Sequence, residues 1–212
     1  MAIVGLYRFR TLSGGLAAHI TQSLEGRERL RAMGYNANCL QPVMGQDVGS
    51  IATVINFASV KDWAAAVTRI NADAGWRTWY AQAAGSGAAE QSEAALLADV
   101  DPAFQPPAPN TIGAVSSTQW LPMPGKAAQL MAHIQSSLAH LTRLGGRARV
   151  LQCTEGAHPM TIMVTLAFPS LEALGAHRDA MNSDANWQEY WAGVMANPSA
   201  QLVRSGIYTM VP

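Results

Sequence analysis

The chain contains an internal repeat. Residues 34–85 can be laid over residues 145–196 at a constant offset of 111 positions without a gap, and 14 of the 52 aligned pairs are identical. The identical pairs include Asp73 with Asp184 and Trp76 with Trp187. Self-similarity at one spacing constrains the fold strongly, because both copies are expected to form the same structure. We interpret the chain as a tandem duplication.

Each copy is predicted to have the same order of strands and helices. Alternating side chains predict a first strand, and apolar residues at helical spacing predict the helix after it. Two strands joined by a glycine-containing turn follow, and Ser59 and Asp73 are suitable N-caps for two further helices. The main expected elements are strands 3–10, 36–44, 50–58 and 94–100 with helix 13–33, and strands 112–123, 147–154, 160–167 and 201–211 with helix 125–144. The predicted order is βαββαβ twice.

The spacing of the repeat is ambiguous in the first helix. There Ala18-His19-Ile20 matches Ala132-His133-Ile134 at an offset of 114. Either the two helices differ in length by about one turn, or this match is accidental.

A βαββαβ unit leaves one face of its sheet uncovered, because both helices pack on the other face. In the third strand, Ile51, Thr53, Ile55 and Phe57 suit the helix side, while Ala52, Val54 and Asn56 form a second, mostly apolar face. In the second copy, Met163, Thr165 and Ala167 form the corresponding face. Two such sheets packed face to face would bury both uncovered faces.

The composition is that of a well-buried globular protein. Of the 212 residues, 49% are hydrophobic and 13% are charged, and the formal net charge is zero. This balance favours neither nucleic acid nor a membrane surface as a partner. Cys39 and Cys153 are not equivalent in the repeat, so we expect two free thiols in a reducing compartment. The predicted location is the cytoplasm.

Two segments carry a resemblance to a known group of proteins. They are FASVKDWAAAVTRINADAGWRTWY in the first copy and FPSLEALGAHRDAMNSDANWQEYW in the second. With the repeated βαββαβ order, they resemble the dimeric α/β-barrel superfamily, which includes antibiotic-biosynthesis monooxygenase and NIPSNAP families. The resemblance implies an α+β fold: two tandem ferredoxin-like domains, 1–100 and 112–212, joined by a Pro-rich linker, 101–111. They would form a pseudo-dimeric barrel within one chain, which could pair further as a homodimer.

His177 is the predicted catalytic residue. Its counterpart in the first copy is Ala66, so the two copies differ there, and a specialised site is expected where they differ. In monooxygenase-type barrels that this helix resembles, a histidine can face the substrate cavity. A desolvated imidazole could then act as a general base. Further residues predicted to line a ligand are Tyr7, Gln41, Asn56, Trp120, Gln152 and Thr165.

Other prominent residues have structural explanations. We interpret Asp73 and Asp184 as helix caps, and Trp76 and Trp187 as residues that pack the following short helices. The glutamines Gln41 and Gln152 could pair with each other or face a ligand. No cofactor or metal is predicted, and His177 and His133 are the candidates to bind a haem if one were present.

Two functions are compatible with these features. The first is an enzyme, such as a cofactor-independent monooxygenase, isomerase or decarboxylase, that acts on a small apolar or aromatic molecule. The second is a non-catalytic barrel that binds such a molecule or assembles with copies of itself. An enclosed cavity containing His177 and another polar residue would favour the first, and a filled barrel would favour the second.

Overall fold

A computed structural model describes residues 1–106 and 111–211. The fold is mixed α+β, and six helices and eight strands lie within these residues. No helix in the described part of the chain is long and apolar enough to cross a membrane. Four residues of the predicted linker, 107–110, lie outside the described ranges.

The first half follows the predicted order of elements. Its elements are β1 (Ile3–Thr11), α1 (Leu16–Ala32), β2 (Asn36–Gly45), β3 (Ser50–Phe57), α2 (Val60–Ala72), α3 (Ala74–Gly85) and β4 (Ala89–Asp99). The main difference is β4, which begins five residues before the predicted residue 94 because its first residues also pair with β1. The predicted caps are present: Ser59 accepts a hydrogen bond from the amide of Asp62, and Asp73 accepts one from the amide of Trp76.

The second half has the same elements at nearly the same spacing. They are β5 (Ala114–Pro122), α4 (Ala127–Arg143), β6 (Arg147–Glu155), β7 (Ile162–Phe168), α5 (Leu171–Ser183), α6 (Ala185–Ala196) and β8 (Ala200–Met210). Both α1 and α4 have 17 residues and begin 111 positions apart. The offset of 111 therefore continues through the first helix, and the match of His19 to His133 at 114 is accidental.

The eight strands close into one antiparallel barrel in the order β1-β3-β2-β8-β5-β7-β6-β4. The strands of each half are neighbours, and the halves meet where β2 pairs with β8 and β4 pairs with β6. Closure satisfies the backbone groups that each four-stranded sheet would otherwise expose at its edges. The helices pack on the outside of the sheets, as the contacts of α1 with β2 and of α5 with β7 show.

The predicted division of β3 into two faces is confirmed. Ala52, Val54 and Asn56 line the interior of the barrel. Thr53, Ile55 and Phe57 lie on the opposite face, towards the helices. Because side chains alternate along a strand, one correctly assigned residue fixes the direction of the others.

Buried charges close one end of the barrel, which we call the charged end. Arg8 lies 2.8 Å from Asp47 and 3.0 Å from Glu93, and Arg204 lies 2.7 Å from Glu93. Tyr208 donates a hydrogen bond of 2.6 Å to Asp47. Arg204 and Tyr208 belong to β8 of the second half, whereas the other three residues belong to the first half. Two cations and two anions thus balance across the seam between the halves.

The charges shift the protonation equilibria at this end. Burial by itself would raise the pKa of Glu93, but the charges of Arg204 and Arg8 outweigh burial and hold that pKa below its usual range. Burial, reinforced by the hydrogen bond to Asp47, raises the pKa of Tyr208, so its hydroxyl remains a donor at neutral pH. Both effects favour the charge arrangement that joins the halves.

Replacing Glu93 with Gln is expected to destabilise the barrel by about 3 kcal/mol at neutral pH, because two buried arginines would then share one carboxylate. Denaturant unfolding measures this change. Since folding lowers the pKa of Glu93, its contribution is present above the pKa of the unfolded chain and is lost as pH falls through the folded pKa. The acid-induced loss of stability should therefore be smaller in Glu93→Gln.

The matched control is Glu90→Gln, on the same strand. Glu90 pairs with Arg10 at the surface, where both side chains are about half exposed or more. Its loss is expected to cost less than about 1 kcal/mol. Equal effects of the two substitutions would contradict a structural role for the charged end.

Candidate functional site

A cleft of about 520 Å³ lies between the helices of the first half and the outer face of its sheet. We call it the helix-side cleft. Its volume is in the range of small-molecule sites, which are typically about 300–1,000 Å³. The sheet contributes Tyr7, Phe9, Thr53, Ile55 and Phe57, and α1 contributes His19 and Gly26. Apolar walls with a few polar groups are what a ligand site of this size requires.

His19 is the polar residue with the most distinctive environment in this cleft. It is 3% exposed, and its Nδ1 lies 2.8 Å from the hydroxyl of Thr11. Its Nε2 is buried and has no hydrogen-bond partner among the described residues. Burial lowers the pKa of His19 below its ordinary value of 6.5. One ring nitrogen is therefore held in place, and the imidazole is neutral at neutral pH, as a general base must be.

Tyr7 provides a second oriented polar group. The indole nitrogen of Trp63, on α2, donates a hydrogen bond of 3.2 Å to the Tyr7 hydroxyl. Because Tyr7 accepts this bond, its own hydroxyl hydrogen is free to be donated to a ligand oxygen. The cleft thus combines a neutral imidazole with a phenol whose position is fixed.

Aromatic side chains of α3 form the remaining wall. Trp76 lies 4.8 Å from Trp79 and 6.2 Å from Tyr80 between ring centroids. Trp79 can lie close to α1 because residue 26 is glycine: a Cβ there would be 2.6 Å from the indole. The indole nitrogen of Trp79 also donates to Glu25 at 3.0 Å. Trp76 and Tyr80 are nearly parallel, at 16°, whereas Trp79 is tilted against both. The three rings offer electron-rich faces against which an aromatic ligand could stack.

The corresponding region of the second half has a different set of side chains. At the offset of 111, His19 corresponds to Leu130 and Ser23 to Ile134, and both counterparts belong to a buried apolar cluster. Tyr7 corresponds to Thr118, and Gly26 to Ser137. At two positions of α1, apolar residues thus replace the polar His19 and Ser23 that line the cleft of the first half.

His177 lies in the buried core of the second half. It is 3% exposed; its Nε2 is 3.2 Å from the carbonyl of Leu141, and its ring lies 5.0 Å from that of Phe168. Burial lowers the pKa of His177, partly offset by the bond to Leu141. It lines neither the helix-side cleft nor the barrel interior. The catalytic role predicted for it stays a prediction, and the structure does not bring it together with the other predicted residues.

The six predicted ligand-lining residues are dispersed. Tyr7 lines the helix-side cleft, whereas Asn56 and Thr165 line the barrel interior. Trp120 packs against Trp191 on the helix side of the second half. Gln41 and Gln152 are half-buried strand residues that line neither space. The six residues predicted to line a ligand therefore do not lie together in one site.

Sequence reasoning missed His19 because of the accidental match at 114. That match paired His19 with His133 and left the spacing of the first helix ambiguous. Extending the offset of 111 into the helix would have paired His19 with Leu130, a polar-to-apolar difference between the copies. The search for differences between the halves singled out His177 on α5, and the same search at an offset of 111 in α1 adds His19 as a second candidate.

Comparisons with known proteins identify the fold. No family model matches the chain, and no curated protein sequence matches it. Solved structures do match over the whole chain. A candidate monooxygenase of Fusobacterium nucleatum is 9% identical, with a TM-score of 0.69 and 93% of its length covered. An anthrone oxidase-like protein is 15% identical, with a TM-score of 0.64 and 92% covered. At these identities the matches establish a shared dimeric α/β-barrel fold.

The comparisons contradict the expectation that no cofactor takes part. A chlorite dismutase of Candidatus Nitrospira defluvii, solved with cyanide, matches 100% of this chain and 91% of its own, at 7% identity and a TM-score of 0.55. Chlorite dismutases are haem-dependent. The expectation was wrong because it relied on sequence motifs, and haem proteins need only one suitably placed histidine.

Among the described histidines, His19 best fits the chemistry of a residue that would hold a haem. Its ring is oriented through Nδ1, as in many metal-binding histidines. The buried Nε2 has no hydrogen-bond partner among the described residues, and the residue lines the helix-side cleft. His177, predicted for this role, has its Nε2 against a carbonyl. His133, the other candidate, has its Nδ1 3.1 Å from Ser199 and does not line the helix-side cleft.

The pKa of His19 can be tested by NMR titration. We expect a midpoint below 6.5, because protonation would place a buried Nε2 hydrogen where the described residues offer no acceptor. The folded state therefore loses stability as pH falls from 6.5 towards that midpoint. Ser23→Asp, one helical turn away, should raise the midpoint, and Ser23→Ala should not. A midpoint at or above 6.5 in the unmodified protein would contradict the environment described.

Proposed function

We propose that the protein binds a small, electron-rich aromatic molecule in the helix-side cleft and oxidises it with dioxygen, in a monooxygenase-type reaction. The observation that carries the proposal is His19: a buried, neutral imidazole, oriented by Thr11, in a cleft of about 520 Å³ with aromatic walls. Solved proteins of the same fold include a candidate monooxygenase and an anthrone oxidase-like protein. Their names support this reaction class.

The proposed substrate carries a methylene group between two aromatic rings, made acidic by a carbonyl that is conjugated with those rings. His19 takes one proton from this carbon, and the resulting carbanion is the species that dioxygen oxidises. The carbon gains one oxygen atom, and the second oxygen atom leaves as water with the two hydrogens of the methylene group. The net change is a methylene plus O₂ to a carbonyl plus water. Four electrons leave the carbon and four reduce dioxygen, so the reaction is balanced.

The other residues of the cleft bind and orient. Trp76, Trp79 and Tyr80 provide the surface for the aromatic rings of the substrate. The Tyr7 hydroxyl, held by Trp63, can donate a hydrogen bond to the carbonyl oxygen where negative charge develops. Burial of His19 lowers the pKa of its imidazole, which favours the neutral form that accepts a proton.

Haem binding is a second candidate for the same histidine. His19 would hold the haem, and a bound haem would supply redox chemistry. Titration with haem, followed by the Soret band, tests this candidate. A spectral shift that is lost in His19→Ala would support it, and a shift retained in that variant would contradict it.

We also propose that the two halves descend from one βαββαβ unit. The constant offset of 111 residues between matching elements supports this origin. Divergence would then have placed His19 in the cleft of the first half and Leu130 in a buried apolar cluster of the second.

Replacing His19 with Gln is expected to lower turnover of anthrone by about 10²- to 10⁴-fold, the usual contribution of a general base. Oxygen uptake and formation of the quinone product measure the rate. The unmodified enzyme should lose activity as pH falls through the lowered pKa of His19, and this acid limb should disappear in the variant.

His177→Gln is the matched control. It replaces the other buried histidine and is expected to keep turnover near that of the unmodified protein. If His177→Gln abolished turnover in a folded protein and His19→Gln did not, the assignment of the base would be overturned. Binding of anthrone without oxygen uptake would instead support the non-catalytic function.

A further inference from the structure

The interior of the barrel contains a second cavity, separate from the helix-side cleft. Its volume is about 140 Å³, and its middle is lined by apolar residues that include Leu6, Val54, Leu97 and Met163. All four come from the strand faces that point away from the helices. An apolar cavity of roughly 150 Å³ accommodates a molecule the size of benzene. The barrel is therefore not fully filled by its own side chains.

The two ends of this cavity differ in charge. At the charged end, Arg8 and Arg204 are balanced by Asp47 and Glu93. These four side chains are 13% exposed or less, so they close that end with no net charge. A ligand gains no net electrostatic attraction there.

At the opposite end, positive charge is in excess. Arg149 binds Asp99 through two hydrogen bonds of 2.7 Å and also donates to Asn56 at 2.9 Å. Arg147 lines the same end of the cavity and has no carboxylate partner among the described residues. Two arginines thus face one carboxylate at this end.

The segment that follows β4 covers this end. The ring of Phe104 lies 4.6 Å from the guanidinium of Arg149 and 5.9 Å from that of Arg147. Arg147 also donates to the carbonyl of Gln105 at 3.0 Å. Arg147 and Arg149 thus hold Phe104 and Gln105 over this end through contacts with a ring and a carbonyl. A bound carboxylate could replace these contacts with stronger ones.

We propose that the barrel interior binds a small apolar monocarboxylate, with its hydrocarbon part in the cavity and its carboxylate at Arg147 and Arg149 beneath Phe104. The apolar middle favours the hydrocarbon part, and the excess charge at one end sets its direction. Paired hydrogen bonds from guanidinium groups are well suited to a carboxylate. This site is independent of the reaction proposed for the helix-side cleft.

Isothermal titration with benzoate and with the neutral benzyl alcohol tests the proposal. We expect one benzoate per chain and binding of benzyl alcohol at least tenfold weaker. Arg147→Glu should weaken benzoate binding at least tenfold. Arg143→Glu, a charge reversal on the surface of α4, should leave it unchanged. Equal affinity for the two compounds, or no benzoate binding, would overturn the proposal.

Two further variants locate the bound molecule. Val54→Phe places a ring inside the barrel and should abolish benzoate binding, whereas Trp79→Ala enlarges the helix-side cleft and should not change it. The opposite result would place benzoate in the cleft and overturn the proposal. If Val54→Phe does not fold, as judged by its thermal transition, Ala167→Leu fills the mouth of the cavity from β7 and serves the same purpose.

Discussion

The structure depends on one constraint: each half has a sheet whose second face no helix covers. The two halves pair β2 with β8 and β4 with β6, so that two open sheets become one closed barrel. The uncovered faces of both sheets then line the interior of that barrel. At one end, the seam is fixed by buried charges from both halves, with Arg204 of β8 reaching Glu93 of β4. Closure leaves the outer faces of the sheets to the helices, and this is where the two halves differ.

The helix-side cleft is lined by the polar α1 residues His19 and Ser23, where the second half has buried apolar residues. Gly26 lets Trp79 approach α1, and His19 lies where the second half has Leu130. A buried histidine is costly unless it stays neutral, and the low pKa of His19 reflects that cost. The same burial gives the imidazole the protonation state that both proposed roles require.

The barrel interior and the helix-side cleft are two cavities on opposite faces of the same sheet. Alternation along β3 sends Val54 and Asn56 inward, and Thr53 and Ile55 outward. The inner space is small and ends in arginines, whereas the outer space is larger and aromatic. A single change of strand register would exchange these surfaces, so the pairing that closes the barrel also defines both sites.

The amino-acid sequence specifies the order of the elements, the caps at Ser59 and Asp73, and the two faces of β3, because these follow from local spacing and hydrogen bonding. It also indicated that a specialised site lies where the copies differ. Which of these differences borders a cleft depends on how the helices pack on the sheet. His177 and His19 are both buried, but one is packed against a carbonyl and a ring whereas the other borders open space. That distinction depends on side chains from other elements, which local sequence patterns do not specify.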